Sequence, residues 1–141
     1  MNEAIEPKLM QLSIPRLWCI GDNKFYDVDP VCEPGSDFIE NAFEGFIEDV
    51  LWLFEWRFES DLEGNTQIII PKTTCYCIDL SWRPDSRIQG EYIAKLDWYG
   101  KNDYLEVEKF FSKDRYAIRD KIEAWMDDVT FNYIDSHNRY P

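Results

Sequence analysis

Hydrophobic positions along this chain recur with two different periods, and each period marks a class of element. From Glu91 to Tyr99 the apolar residues Tyr92, Ala94, Leu96 and Trp98 fall on every second position, the spacing of a strand covered on one face. Thr66 to Ile70 and Thr74 to Trp82 are rich in β-branched and aromatic residues and read as strands. A strand from Tyr104 to about Phe110, with Leu105 and Val107 alternating with Glu106 and Glu108, follows a turn at Gly100 to Asp103. The loop Arg83 to Gly90, with Pro84, joins two strands of this antiparallel meander. Upstream, Arg16 to Ile20 and Lys24 to Val28 flank Gly21-Asp22-Asn23 and predict a hairpin, while Pro30, Pro34 and Gly35 make Asp29 to Gly35 a loop.

Helical spacing appears twice. Behind Ser112 as cap, the residues Ile118, Ile122, Trp125, Met126, Val129 and Tyr133 predict a C-terminal helix. A second helix is predicted from Asp37 to about Glu59, with Ser36 or Asp37 as cap and Glu40 as the capping-box partner. There Ile39, Ala42, Phe43, Phe46, Val50, Leu53 and Phe54 fall on one face at 3.6 residues per turn. The predicted class is therefore α+β, a single domain over 1–141. It has an antiparallel sheet of about four to six strands packed by two main helices, with frayed ends at about 1–12 and 136–141. No internal repeat or linker divides it, and 141 residues suffice to bury about two thirds of the unfolded surface.

Composition adds core material and sets the compartment. Six Trp, eight Tyr and nine Phe exclude intrinsic disorder and leave aromatic residues to spare for a surface. The N-terminus has Glu3 and Glu6 and no apolar run, so no secretory signal is expected, and no apolar stretch reaches the roughly 20 residues of a membrane span. A cytoplasmic setting follows, in which Cys19, Cys32, Cys75 and Cys77 are expected as reduced core thiols rather than disulfides or a zinc site.

Charge changes the picture most. Between Asp22 and Glu63 stand thirteen acidic residues against Lys24 and Arg57, a net of −11 out of −13 for the whole chain. On the predicted Asp37 to Glu59 helix, Asp37, Glu40, Glu44, Glu48, Glu55 and Glu59 fall within a sector of roughly 100°, bordered by Trp52 and Trp56. Like charges one turn apart destabilise a helix by about 0.2 to 0.5 kcal/mol each, so neutralising Glu44, Glu48 and Glu55 as Gln is expected to leave folding intact. The stripe thus asks for a purpose outside the fold. The expected binding set is Asp37, Glu40, Glu44, Glu48, Trp52, Glu55, Trp56, Glu59, Asp61 and Glu63.

Catalytic signatures are absent. The only histidine is His137, close to the C-terminus, which leaves the four thiols without the usual base. No G-x-S-x-G, G-x-x-x-x-G-K-[ST] or G-x-G-x-x-G run occurs, and neither an EF-hand loop nor Glu-x-x-His pairs are present. Asp27-Val-Asp29 is read as ordinary turn chemistry. No metal, cofactor or catalytic residue is expected.

In size, acidity, an acidic helix beside Trp52 and Trp56, and the lack of catalytic motifs, the chain resembles small bacterial immunity proteins. The resemblance implies a non-catalytic inhibitor that docks a basic protein partner, a cognate nuclease-type toxin, by electrostatic attraction and aromatic anchoring. It implies no direct nucleic-acid or membrane binding. Two alternatives stand beside it. One is a nucleic-acid mimic that occupies a DNA-binding protein, although one helical stripe is sparser in charge than a duplex, which carries one per ~1.7 Å. The other is an α+β domain that binds a small ligand or a divalent cation.

Overall fold

The computed structural model describes residues 7–55, 57–60, 63, 66–69, 75–100 and 102–131, with the backbone alone at 43, 57–60 and 66–69. Its elements are β1 (Trp18–Asn23), a one-turn 3-10 segment (Phe43–Gly45), β2 (Leu51–Glu55), β3 (Arg57–Ser60), β4 (Thr66–Ile69), β5 (Cys75–Arg83), β6 (Glu91–Tyr99), β7 (Tyr104–Ser112) and α1 (Arg115–Phe131). Five strands form one antiparallel sheet in the order β1-β2-β5-β6-β7, and β3 and β4 pair separately. The expected antiparallel sheet is present, and the described residues hold one α-helix where two were expected.

Strand alternation decides which side of the sheet becomes core. Tyr76, Ile78, Leu80 and Trp82 on β5 and Tyr92, Ala94, Leu96 and Trp98 on β6 all point inward, as the period of two requires. Across from them, α1 packs on β6 and β7 through Ile118, Ile122, Trp125, Met126 and Val129. Asp114 caps α1 by accepting from the Tyr116 amide at 2.9 Å, while Ser112, the expected cap, instead accepts from the Asp114 amide at 3.0 Å. Two devices tie α1 down. The Trp18 indole donates to Thr130 Oγ1 at 2.9 Å, and Arg115 binds both Asp27 and Asp29, so the D-x-D pair serves as an anchor for the helix start.

The rest of the inner face is closed by irregular chain between β1 and β2, which contributes Phe25, Ile39, Phe46 and Val50 to the core. Phe25, Phe46, Trp82 and Tyr92 stack with ring centroids 4.9 to 6.0 Å apart. Buried in this cluster, the Tyr92 hydroxyl has no hydrogen-bond partner among the described residues. An unmet buried hydroxyl costs about 1–3 kcal/mol, so Tyr92→Phe is expected to leave stability unchanged or raise it. A urea titration showing a loss above about 1 kcal/mol would mean that the hydroxyl is satisfied after all.

One expectation fails here. The hairpin at Gly21-Asp22-Asn23 does not form, because these residues continue β1 and a register shift between Ile20 and Asp22 takes up Gly21. The chain from Lys24 onward instead lies beside residues 8–10, with the Met10 amide donating to the Phe25 carbonyl at 2.7 Å and the Asp27 amide to the Lys8 carbonyl at 2.8 Å. The N-terminal stretch expected to fray is thus held in place from Lys8 to Met10, whereas 1–6 and the C-terminal tail lie outside the described residues.

The Asp37 to Glu59 helix is also absent. Ala42 takes a left-handed φ of 47°, which interrupts an α-helix. Gly45 sits where a Cβ would come within 2.8 Å of both the Lys24 carbonyl oxygen and the Tyr26 ring, a close approach that only glycine permits. From Leu51 the chain enters the sheet between β1 and β5, gaining ladder hydrogen bonds on both sides.

Candidate functional site

The sheet face turned away from α1 carries chemistry in cross-strand rows fixed by register. One row reads Asp22, Trp52, Asp79, Lys95 and Lys109 across β1, β2, β5, β6 and β7. The next reads Cys19, Phe54, Cys77, Asp97 and Glu106. Beyond it Cys75, Tyr99 and Tyr104 align, and on the other side Ser81, Ile93 and Phe111. Four aromatic side chains remain well exposed on this face: Trp52 at 45%, Tyr99 at 40%, Tyr104 at 51% and Phe111 at 52%. Four large rings on one side of a sheet are more than the scatter normal for a surface.

Trp52 is placed by its neighbours. Its ring lies 4.6 Å from that of Phe54 and covers Gly21, where a Cβ would meet Trp52 Cε3 at 2.1 Å. The glycine is therefore the floor on which the indole rests, not a turn residue.

Between Trp52 and Tyr99 opens a cavity of about 360 Å³ lined by Asp22, Asp49, Leu51, Trp52, Cys77, Asp79, Lys95, Asp97 and Tyr99. Four carboxylates face one ammonium there, a formal charge of −3. A neighbouring cavity of about 330 Å³ shares Asp49, Asp79 and Lys95 and adds Glu48, Ser81, Arg83, Ile93, Lys109 and Phe111. Three acids balance three bases in this second cavity, so together the two make a groove with one acidic and one neutral end.

The acidic end is costly to the fold. Asp97 is only 3% exposed, and burial pushes its carboxyl above the usual aspartate range despite a hydrogen bond donated by the Tyr104 hydroxyl at 2.8 Å. Burial likewise raises Asp79; Lys95 draws it down in part, while Asp49 and Asp97 push it higher. Lys95 forms no ion pair within 4 Å among the described residues, so neither carboxylate is neutralised at close range.

Two of the thiols, Cys19 and Cys77, are held in the protonated form. No disulfide joins any of the four cysteines, and Cys75 Sγ and Cys77 Sγ lie 3.6 Å apart. Hydrogen bonding with Cys75 and then burial drive the Cys77 thiol far above its ordinary range, and burial raises Cys19, so neither presents a thiolate at neutral pH. Among the described residues no group of three or more His, Cys, Asp or Glu is arranged to hold a metal ion.

The expected binding set does not assemble as one stripe, because the helix that would align it is absent. Asp37 pairs with Arg87 at 2.7 Å and Glu48 with Arg83 at 2.6 Å, each joining the loop before β2 to the loop after β5 or to its end. Glu40 and Glu44 are exposed in that first loop, and Glu63 is exposed elsewhere. Glu59 pairs with Gln67 between β3 and β4, while Trp56 and Asp61 lie outside the described residues. Of the described members of the set, Trp52 and Glu48 line the groove.

Glu55 overturns its expected role. It is buried and accepts a hydrogen bond from the Tyr76 amide at 2.7 Å. Glu55→Ala is expected to cost about 1–3 kcal/mol by leaving that amide unmet, and Glu55→Gln less, because its side-chain oxygen still accepts. Equal stability of Glu55→Ala and wild type in guanidinium titrations would refute this.

Asp22, Asp49, Asp79, Lys95, Asp97, Tyr99 and Tyr104 were not in the expected set. Alternation along β5 and β6 does place Asp79, Lys95, Asp97 and Tyr99 opposite the core face, and that signal was legible. What joins them to Asp22 and Trp52 is strand order, which no local pattern encodes.

No family model, curated protein or solved structure matches this chain. Among the described residues, no helix is long and apolar enough to cross a membrane.

Proposed function

We propose that this chain is a non-catalytic acidic binding protein of the toxin-immunity kind, and that it docks a basic protein partner, of the nuclease-toxin type, through the groove on the sheet face turned away from α1. The observation that carries this reading is the pairing of half-exposed Trp52, Tyr99, Tyr104 and Phe111 with the poorly compensated carboxylates Asp79 and Asp97 on one surface. Aromatic anchors supply affinity, and the acidic field steers a cationic partner. Burial disfavours both charges, so keeping them ionised costs the fold, which favours a role toward a partner. The Cys77 thiol in the groove lining is held protonated, which favours binding over nucleophilic catalysis there.

Nucleic-acid mimicry receives less support. Asp22 and Asp79 stand two strands apart, about 10 Å at ~4.8 Å per strand, far sparser than the charge of a duplex.

The test is hydroxyl-radical footprinting of the purified chain alone and in complex with the basic protein recovered from its native cell at low salt. Protection of Trp52, Tyr99 and Phe111, with affinity that falls as salt rises, is the expected result. Protection confined to the α1 side, or affinity indifferent to salt, would refute the docking surface.

A further inference from the structure

We propose that the cavity between Trp52 and Tyr99 is an arginine-anchoring subsite, taking one guanidinium group of the docked partner against the Trp52 ring and the carboxylates of Asp79 and Asp97. This rests on the docking reading and specifies the chemistry of its centre.

Three independent features converge on a guanidinium. The first is a buried carboxylate in the lining: Asp97 is almost wholly buried, lines the cavity and accepts a hydrogen bond from the Tyr104 hydroxyl at Oδ1, which leaves Oδ2 to meet a further donor. A planar group with several donors satisfies such a carboxylate, and an arginine fork matches carboxylate geometry two bonds at a time. The second is aromatic surface. One side of the Trp52 indole rests on Gly21 and Phe54, while the ring remains 45% exposed, and the cavity is bounded across from it by Tyr99. Cations are attracted to such faces, arginine more often than lysine because it can stack. The third is charge and size. The lining carries a formal −3, and about 360 Å³ lies in the range of pockets that enclose a small ligand or a side-chain head group.

Lysine fits less well. An ammonium is strongly hydrated and loses that hydration inside a half-closed aromatic cavity, whereas a guanidinium is weakly hydrated on its faces. Lys95 already supplies one ammonium to the lining and leaves the carboxylates without a close ion pair.

The probe is N-acetyl-arginine methylamide titrated into the full-length chain, with the lysine analogue in parallel, following indole and amide resonances by two-dimensional NMR. The expected result is saturable binding on the order of millimolar affinity, shifts at the Trp52 indole and at Asp97 and Tyr99, and at least fivefold weaker binding of the lysine analogue. Trp52→Phe assigns the indole. Asp97→Asn and Trp52→Ala, each checked for native spectral dispersion, should weaken the arginine probe at least fivefold. Equal binding of both analogues, shifts elsewhere, or an Asp97→Asn chain that is folded and binds unchanged would overturn the subsite. If the arginine probe fails while a basic partner still protects Trp52 and Phe111, the docking surface stands and the anchor falls. If the probe binds while the partner protects the α1 side, the docking reading falls and the subsite is lost as its centre.

Discussion

Replacing Asp79 and Asp97 together with Asn is expected to raise the thermal midpoint while weakening association with a basic partner at least tenfold at low salt. Both effects come from one cause. Burial is the first reason that each carboxyl is raised, so the ionised forms work against folding, and an amide of the same shape removes that penalty. The Tyr104 hydroxyl keeps an acceptor, since the side-chain amide oxygen introduced by Asp97→Asn can take the place of Oδ1. In a complex the same carboxylates face the partner's cations, and close interfacial charge pairs couple by about 1.5 kcal/mol or more, which is about tenfold. The pH dependence carries the sign. Groups raised in the fold relieve their penalty as pH falls through their folded values, so the wild-type chain gains stability there and the double variant does not. Further down, below the ordinary carboxylate range, both chains lose stability as Asp27 and Glu108, lowered by Arg115 and Lys121 respectively, take up protons. Denaturation curves that show the double variant less stable at neutral pH would make these carboxylates structural.

A second large effect is expected at the helix. Ile122 is fully buried where α1 meets β6 and β7, and Ile122→Ala should cost about 2–5 kcal/mol through lost burial and a residual cavity. That is a large share of the roughly 5–15 kcal/mol that holds a domain of this kind together. Urea unfolding followed by far-ultraviolet circular dichroism gives the value, and Asp127→Ala on the exposed side should stay within about 0.5 kcal/mol. A cost at Ile122 no greater than at Asp127 would show that α1 is not a packed layer.

The Ile118 to Val129 pattern made that helix readable. Its apolar residues recur at three and four positions, and Asp120, Asp127 and Asp128 on its other face are exposed. Strands β5 and β6 were equally plain, and β6 keeps the bounds Glu91 to Tyr99 suggested by alternation alone. The segment from Asp37 to Glu59 misled because Ile39, Phe46, Val50 and Leu53 suit a helical face and a folded loop entering a central strand alike. Leu51 to Glu55 is covered on both sides, with Trp52 its one exposed residue, so it offers no clean period of two. The features that forbid the helix, the left-handed Ala42 and the space beside Lys24 and Tyr26 that admits only Gly45, belong to tertiary structure. The groove shares that origin: Asp22, Trp52 and Asp97 are distant in sequence and meet only because β2 inserts beside β5.

A sheet face with four half-exposed rings is ordinarily a hazard, since two copies can stack through those rings and bury them against each other. Here the acidic excess acts as a standing repulsion between identical molecules. A second copy stacked with its acidic end on this one brings Asp22, Asp49, Asp79 and Asp97 against the same set, with Lys95 as the one base in each lining. On the docking reading, that charge opposes self-association while leaving the four aromatic side chains exposed.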